Sequence, residues 1–580
     1  MLKCLLVSSI AISSLCSVEN YTEELATKRV YGHLFINDRI SAVKEAKKAL
    51  EEFPNSKNLQ VSFIRALCEK GDEVEAWEQW QKGVQSFQEE LKSRHMLEVI
   101  AWGVLNKGET SSQLSVCLTS LLGAAFTRDA KAIPLLIDGL RSSNAFLRSI
   151  AVKLSVSYGD ALLQNEIERL LKEEKVWYVR LEVIQAVGQL RMGHLRPQLE
   201  EVLGNPKALA EERAAAIVSL VSIYDKIDRQ KLRQLLTSNR AGLRQLGCEV
   251  ISHLNLVDHI DLMIPLLQDT SSDVRLSALN VLGLLRIKKV GEIQVIDLIQ
   301  KSLKDPFAPV SITAAWVALL LEAPVGETKL AEWLDHENLI WQRLSSAAIA
   351  SSGKYGVKLS LKYIKGSKDP YVKVNLALGL IGQRVEVKQS CQVIDKVFFA
   401  ERSQLWMWDN GENPLFRSLA PSDVHHIEQI PHYPIVVDQM TRLELLSVLS
   451  ILRYPKAQEV VRSFLQIHSW GVTGAAAATL LQEGDEEDLT AVSALLEDSD
   501  EKIRIQAALI LALVGSDPRA VKILQEAYHN VDREMKVHIL EALAHIGDPS
   551  SIPFLLEILK EPFQILRVVA ASALIQCLYH

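Results

Sequence analysis

Asp498-Ser-Asp-Glu-Lys-Ile-Arg-Ile-Gln-Ala-Ala-Leu-Ile-Leu-Ala-Leu-Val-Gly-Ser-Asp-Pro-Arg519 reads as a turn, a helix and a second turn. Ile503, Ala507, Ile510, Leu511 and Val514 follow helical spacing and give the segment one apolar face. Asp498 and Asp500 precede the first turn, where carboxylates suit unpaired N–H groups and the positive end of the helix. Gly515 and Pro518 supply the stop, and a second helix begins near Ala520.

The unit recurs. Bases stand at the place of Arg504 at Arg148, Arg180, Arg213, Arg244, Arg275, Arg343, Lys373, Arg442, Lys536 and Arg567. The first separations are 32 residues from 148 to 180, then 33, 31 and 31. Ser311 divides the step of 68 between 275 and 343, and Thr473 divides the step of 62 between 442 and 504. Those two units keep the small and apolar pattern and lose the base. A period in the low thirties carried by two helices predicts an α-solenoid.

From Gln113 onward the chain resembles HEAT repeats, in the short form also found in phycobiliprotein lyase-type proteins. Asp273-Val-Arg-Leu-Ser-Ala278-Leu-Asn-Val-Leu-Gly283 and Asp548-Pro-Ser-Ser-Ile552-Pro-Phe-Leu555-Leu-Glu-Ile-Leu559 carry the resemblance. It implies an all-α fold, a right-handed, armadillo-like superhelix of about a dozen hairpins. It also implies that the Asp and Arg columns form side-chain ladders between neighbouring units, a structural role and not a functional one.

A chain of 580 residues is too long for one conventional core, a limit that a solenoid escapes because each unit packs only on its neighbours. The net charge of −7 argues against a dedicated nucleic-acid binder, while leaving local basic faces open. Seven cysteines without a Cys-x-x-Cys pair suggest neither a zinc site nor a disulfide framework. In apolar helices they act as small buried hydrophobes.

Residues 1–17 have one lysine, a short apolar run and small residues ahead of polar Glu19, the pattern of an export signal. Export to the periplasm or medium is therefore expected, with a cytoplasmic N-terminal helix as the alternative. No later stretch is long and apolar enough to cross a bilayer as a helix. Residues 18–110 resemble tetratricopeptide units: Ala42, Ala49 and Pro54 stand at that family's spacing, and Ala76 follows Ala42 by 34. Gly83 and Gln88 depart from the second unit's pattern. This region is expected to cap the solenoid or to offer a small peptide groove. Trp77, Trp80 and Trp102 read as core.

The array over 111–397 resumes over 441–580, and the segment between them, 398–440, interrupts it. Asn413-Pro414, Pro421, Pro431 and Pro434 forbid a continuous helix there, yet the segment is too aromatic for ordinary disorder. It plugs a lost repeat, or it binds a partner through Trp406, Trp408, Phe416, His432 and Tyr433. His425, His426, Glu428 and His432 lack the helical spacing of a metal site, and no metal or other cofactor is assigned. Deoxyhypusine hydroxylase, built from similar repeats, needs several His-Glu pairs, whereas this chain has only His336-Glu337. No phosphate loop or nucleophile constellation is recognisable. The residues therefore point to a non-catalytic scaffold for a protein partner. The alternatives are a lyase-like or chaperone-type accessory to an enzyme, and an architectural spacer.

Overall fold

The computed structural model describes residues 21–398, 407–408, 417–418, 448–449, 452, 454, 492–514 and 517–579. The leader expected over 1–17, the column positions Arg442 and Thr473, and the metal candidates His425, His426 and Glu428 lie outside them. The described residues are helical apart from short turns and two two-residue hairpins, Lys289–Val290 with Ile293–Gln294 and Met407–Trp408 with Arg417–Ser418. They fall in two compact units, one within Met1–Thr127 and Asp532–His580, the other within Arg128–Val531.

In the second unit the helices alternate as the period predicts. Ile133–Arg141 is followed by Ala145–Val156, Ala161–Glu173 by Trp177–Gln189, Arg196–Gly204 by Ala210–Ile223, and Arg229–Leu236 by Ala241–His253. Ser272–Leu284, Ala308–Leu320, Leu339–Ser351 and Pro370–Gly382 continue the row of second helices. Each packs on the second helix of the next unit, so the core is continuous from Leu232 to Ile394. The second unit is an α-solenoid of stacked helical hairpins.

Local chemistry starts and stops these helices. Asn144, Asp160, Asp228, Asn338, Asp369 and Asp517 accept backbone N–H groups of the first turn. At the other end many second helices close on a left-handed residue: Gly159 and Gly353, but also Arg191, Asn255, Arg286 and Arg384. After Trp177–Gln189 the bonds are Arg191 N–H to Gly188 O and Met192 N–H to Val187 O, each 3.0 Å, which satisfy two terminal carbonyls.

Neighbouring second helices approach closely where a glycine faces a small residue. A Cβ on Gly188 would stand 2.5 Å from Ser219 Cα, and the Ser219 hydroxyl donates to Ile184 O at 2.8 Å.

In the first unit the helices Glu23–Phe35, Arg39–Glu52, Lys57–Lys70 and Glu73–Val84 pack as successive hairpins. Ala42, Ala49 and Ala76 are buried, as the tetratricopeptide spacing implies. Gly83 serves the same end, since a Cβ there would meet Leu91 Cδ1 at 2.5 Å. Trp80 and Trp102 are core, and the indole of Trp80 donates to Leu91 O at 2.8 Å. Trp77 is half-buried and stacks on Trp80 at 4.7 Å between ring centroids.

A division in chain order does not anticipate what joins these helices. Gln564–Tyr579, the last described helix, packs against Arg94–Glu109 and Leu114–Phe126. The Ser572 hydroxyl donates to Gly123 O at 2.7 Å, the Gln576 amide to Phe126 O at 3.2 Å, and the Tyr579 hydroxyl to the Glu98 carboxylate.

Candidate functional site

The arginine column forms a ladder with a simple rule. Arg148, Arg180, Arg244, Arg275, Arg504 and Arg567 each sit near the start of a second helix and donate one Nη1 to the carbonyl six positions earlier, in the turn ahead of that helix. Arg148 reaches Ser142 O at 2.9 Å, Arg244 reaches Ser238 O at 2.8 Å, and Arg275 reaches Asp269 O at 2.8 Å. The rest of the guanidinium turns to a carboxylate of the following unit. Arg148 pairs with Glu174 at 2.7 Å, Arg180 with Glu212 at 2.7 Å, Arg244 with Asp269 at 2.6 Å, Arg275 with Asp305 at 2.8 Å, and Arg343 with Asp369 at 2.7 Å.

Most of these acids also shape a turn: Asp269 accepts Ser271 N–H at 2.8 Å and Asp305 accepts Phe307 N–H at 2.9 Å. One side chain thus fixes its own helix start and links two units by charge-assisted bonds.

The ladder departs from this rule at two kinds of place. At Ser311 the base is gone, and in the next turn His336 stands ahead of the helix start, with Glu337 beside it. The Ser311 hydroxyl bonds Leu303 O at 2.8 Å and accepts from the Trp333 indole at 3.3 Å. His336 Nδ1 accepts Asn338 N–H at 2.9 Å, which makes this histidine a turn residue.

At Arg213 the base is kept and both of its contacts are gone. Ser238 occupies its place and keeps the turn, accepting Arg240 N–H at 3.2 Å, but brings no charge. Among the described residues the Arg213 guanidinium has neither the carbonyl nor the carboxylate contact. Arg504 retains its carbonyl bonds to Asp498 at 2.8 Å and Ser499 at 3.2 Å, with Asn530 at the acid's place, but part of the preceding unit is undescribed.

This break lies in a trench. One cavity of 530 Å³ is lined by Arg213, Ala214, Ile217, Arg240, Gly242 and Gln245, with Asp273 at one rim. Arg240 is held over Gly204, where a Cβ would stand 1.4 Å from its Nη1. A second cavity of 370 Å³ is lined by Gln185, Gly188, Ala214, Val218, Ser219 and Ser222, with Glu211 beside it. The two share Ala214 and cross the helices Trp177–Gln189, Ala210–Ile223 and Ala241–His253. The close Gly188–Ser219 contact draws two of these helices together, and small side chains leave the depression unfilled. Val218, 66% exposed, stands in it.

Of the residues expected to bind a partner, Trp406, Phe416, His432 and Tyr433 lie outside the described residues. The Trp408 backbone is described: it pairs with Arg417 in the hairpin Met407–Trp408/Arg417–Ser418, and that strand lies along Leu339–Ser351 and Pro370–Gly382.

Reading along the base column alone passes over Arg213, because its anomaly is written at Ser238. Aligning the acids of the turns would have exposed it. Among the described residues no group of three or more His, Cys, Asp or Glu is arranged to hold a metal ion. Cys68, Cys248, Cys391 and Cys577 are buried, and burial pushes the thiols of Cys68 and Cys577 up to about 12.

Residues 490–575 match the family of HEAT repeats. No curated protein matches. Among solved structures, the chain is similar to karyopherin Kap121p bound to the extreme C-terminus of the protein phosphatase Cdc14p, at 13% identity over 95% of this chain and 83% of that one, with a TM-score of 0.29. It is similar to the UNC-45 chaperone that binds and folds muscle myosin, at 12% identity over 96% and 82%, TM-score 0.32. The CpcE–CpcF complex of phycocyanin lyase from Nostoc sp. PCC7120 matches at 15% identity over 52% of this chain and 92% of that one, TM-score 0.22. Likenesses at this level carry nothing about chemistry or partner.

Proposed function

We propose that the chain is a non-catalytic scaffold that holds an extended segment of a protein partner in the trench across the second helices 177–253. One observation carries this: two adjoining cavities share Ala214 and span three consecutive units, so a single segment can touch all three. A surface assembled from repeats spreads affinity over several weak contacts, which suits a polypeptide better than a compact substrate.

The segment 398–440, with Trp406, Trp408, Phe416, His432 and Tyr433, is proposed as a second contact with the same partner. Aromatic side chains at that density are the commonest anchors of interfaces.

A photocrosslinking residue at Val218, with a control at exposed Leu162 on a first helix, tests the trench in native cells. The protein captured from Val218 is then purified and titrated against the wild type and Val218→Arg. Saturable binding that weakens at least about tenfold in Val218→Arg supports the trench. Equal capture from Leu162, or equal binding by Val218→Arg, rejects it. Replacing 406–433 by a flexible linker separately tests the second contact, which fails if the partner's affinity is unchanged.

A further inference from the structure

The geometry points to Arg213 and Arg240 as a receptor for a carboxylate of the bound segment, an Asp or Glu side chain that supplies the missing acid of the ladder. The inference rests on the trench reading and adds the chemistry of the occupant.

Three observations converge. First, Arg148, Arg180, Arg244, Arg275 and Arg343 each have a carboxylate from the following unit at 2.6–2.8 Å, so a guanidinium in this column is placed to meet an acid. At Arg213 the turn supplies Ser238, whose hydroxyl preserves the backbone geometry without the charge. The base is kept and its anion removed.

Second, the space is open. Arg213 is half-buried, and together with Arg240 it lines a cavity of 530 Å³, far more than one carboxylate fills. Arg240, an exposed residue, lies against Gly204, which has no side chain to displace it. Among the described residues neither guanidinium has a carboxylate or a carbonyl partner. Two guanidiniums bind one carboxylate by paired, charge-assisted bonds and favour the flat geometry of that group.

Third, charge selects the place. Asp273 lines the same cavity as the two bases, and Glu211 lines the adjoining one from the helix Ala210–Ile223 that also carries Arg213. An acidic residue of the partner is attracted to the two bases and repelled by Asp273 and Glu211, which narrows where it can sit. Phosphate groups of a nucleic acid, spaced along a backbone, meet those acids unfavourably.

The experiment uses the full purified chain and fluorescein-labelled Gly/Ser decapeptides carrying two glutamates, or two glutamines in their place. Binding is read by anisotropy, with inorganic phosphate and acetate as competitors. The key variant is Ser238→Asp, which restores the acid inside the chain.

The expected result is saturable binding of the glutamate peptide, about tenfold weaker for the glutamine peptide, and about tenfold weaker in Arg213→Gln or Arg240→Gln. Ser238→Asp loses the peptide to the same degree while its melting temperature rises. Arg213→Gln melts as the wild type does, since it breaks no bond, so lost binding is not lost folding.

Several outcomes overturn the proposal. They are equal binding of the two peptides, undiminished binding by Ser238→Asp, displacement of the peptide by phosphate more readily than by acetate, or no saturable binding up to about 1 mM. The two readings fail separately. If Val218→Arg releases the captured partner and Ser238→Asp does not, the trench stands and the carboxylate receptor falls. If the captured partner ignores Val218→Arg, the trench falls whatever the peptides do.

Discussion

Arg567 Nη2 lies 2.7 Å from Glu73 Oε1, an ion pair between residues 494 positions apart. Arg567 follows the ladder rule in every other respect, since its Nη1 donates to Glu561 O at 2.8 Å. What differs is the source of the acid: it comes from the N-terminal helix Glu73–Val84 and not from a following repeat. Both side chains are largely withdrawn from water, at 18% and 12% exposure. A helix from outside the repeat array thus supplies the acid that a following repeat supplies elsewhere.

Breaking that pair by Arg567→Met is expected to destabilise the unit by about 1–3 kcal/mol, between the values for exposed and fully buried pairs. The place to look is amide exchange in Gln564–Tyr579 and in Arg94–Glu109, which should accelerate together. Unchanged protection in both helices would show that the pair contributes nothing to the docking.

How much of this could be read beforehand divides along a physical line. The column at Arg148, Arg180, Arg244, Arg275 and Arg343 was legible because a repeat writes the same base at a near-constant interval, whereas its acids lie 25 to 32 positions ahead and were legible only as a column of turn acids. The small residues Ala42, Ala49 and Ala76 were legible for the same reason. The pairing of Arg567 with Glu73 was not, since a contact across 494 positions leaves no period. The gap at Arg213 was only half legible: its base is in register, and the fault is one serine in a turn where serine keeps the local geometry intact. Trp77 and Trp80 were both read as core, and spacing alone could not tell the buried ring from the half-buried one lining a 290 Å³ cavity with Val74 and Val104.

Gly188 sets the depth of the trench. A methyl group there would stand 2.5 Å from Ser219 Cα, a backbone atom that cannot swing aside. Gly188→Ala should therefore separate the helices Trp177–Gln189 and Ala210–Ile223 and cost about 1–3 kcal/mol despite alanine's better helix propensity. Thermal melting measures the cost. A rise in melting temperature would mean that propensity outweighs the contact and that the helices have room to yield.

The ladder should make stability sensitive to acid. Burial alone would raise the Glu174 carboxyl, but the Arg148 guanidinium and the amides of Val176 and Lys175 outweigh it and hold the group below its ordinary value. Asp269 is likewise lowered, with burial outweighed by Arg244 and Ser271. A carboxyl whose folded pKa is depressed stabilises the fold above its unfolded value, about 4 for these groups. That stabilisation is lost as pH falls through the folded value. Melting temperature should be flat near neutrality and fall below about pH 4. Glu174→Gln should lower the neutral plateau and soften the acid slope, and an unchanged slope would remove Glu174 from the acid response.

Arg191 closes the helix Trp177–Gln189 in the left-handed region, at φ 49°. Gly159 and Gly353 close other second helices at φ 59° and 61°, so the position calls for that backbone conformation whichever residue fills it. A side chain there costs about 1–2 kcal/mol through the clash of Cβ with the carbonyl, whereas glycine adds roughly 0.5–1 kcal/mol of chain entropy to be lost on folding. Arg191 is exposed, and both bonds of the helix end are made by backbone groups that glycine retains. Arg191→Gly should therefore stabilise the second unit by about 0.5 kcal/mol. Urea unfolding with an unchanged m-value would register the gain as a shift of the midpoint to higher denaturant. A shift to lower denaturant would mean that the arginine side chain makes a contribution larger than the strain it imposes.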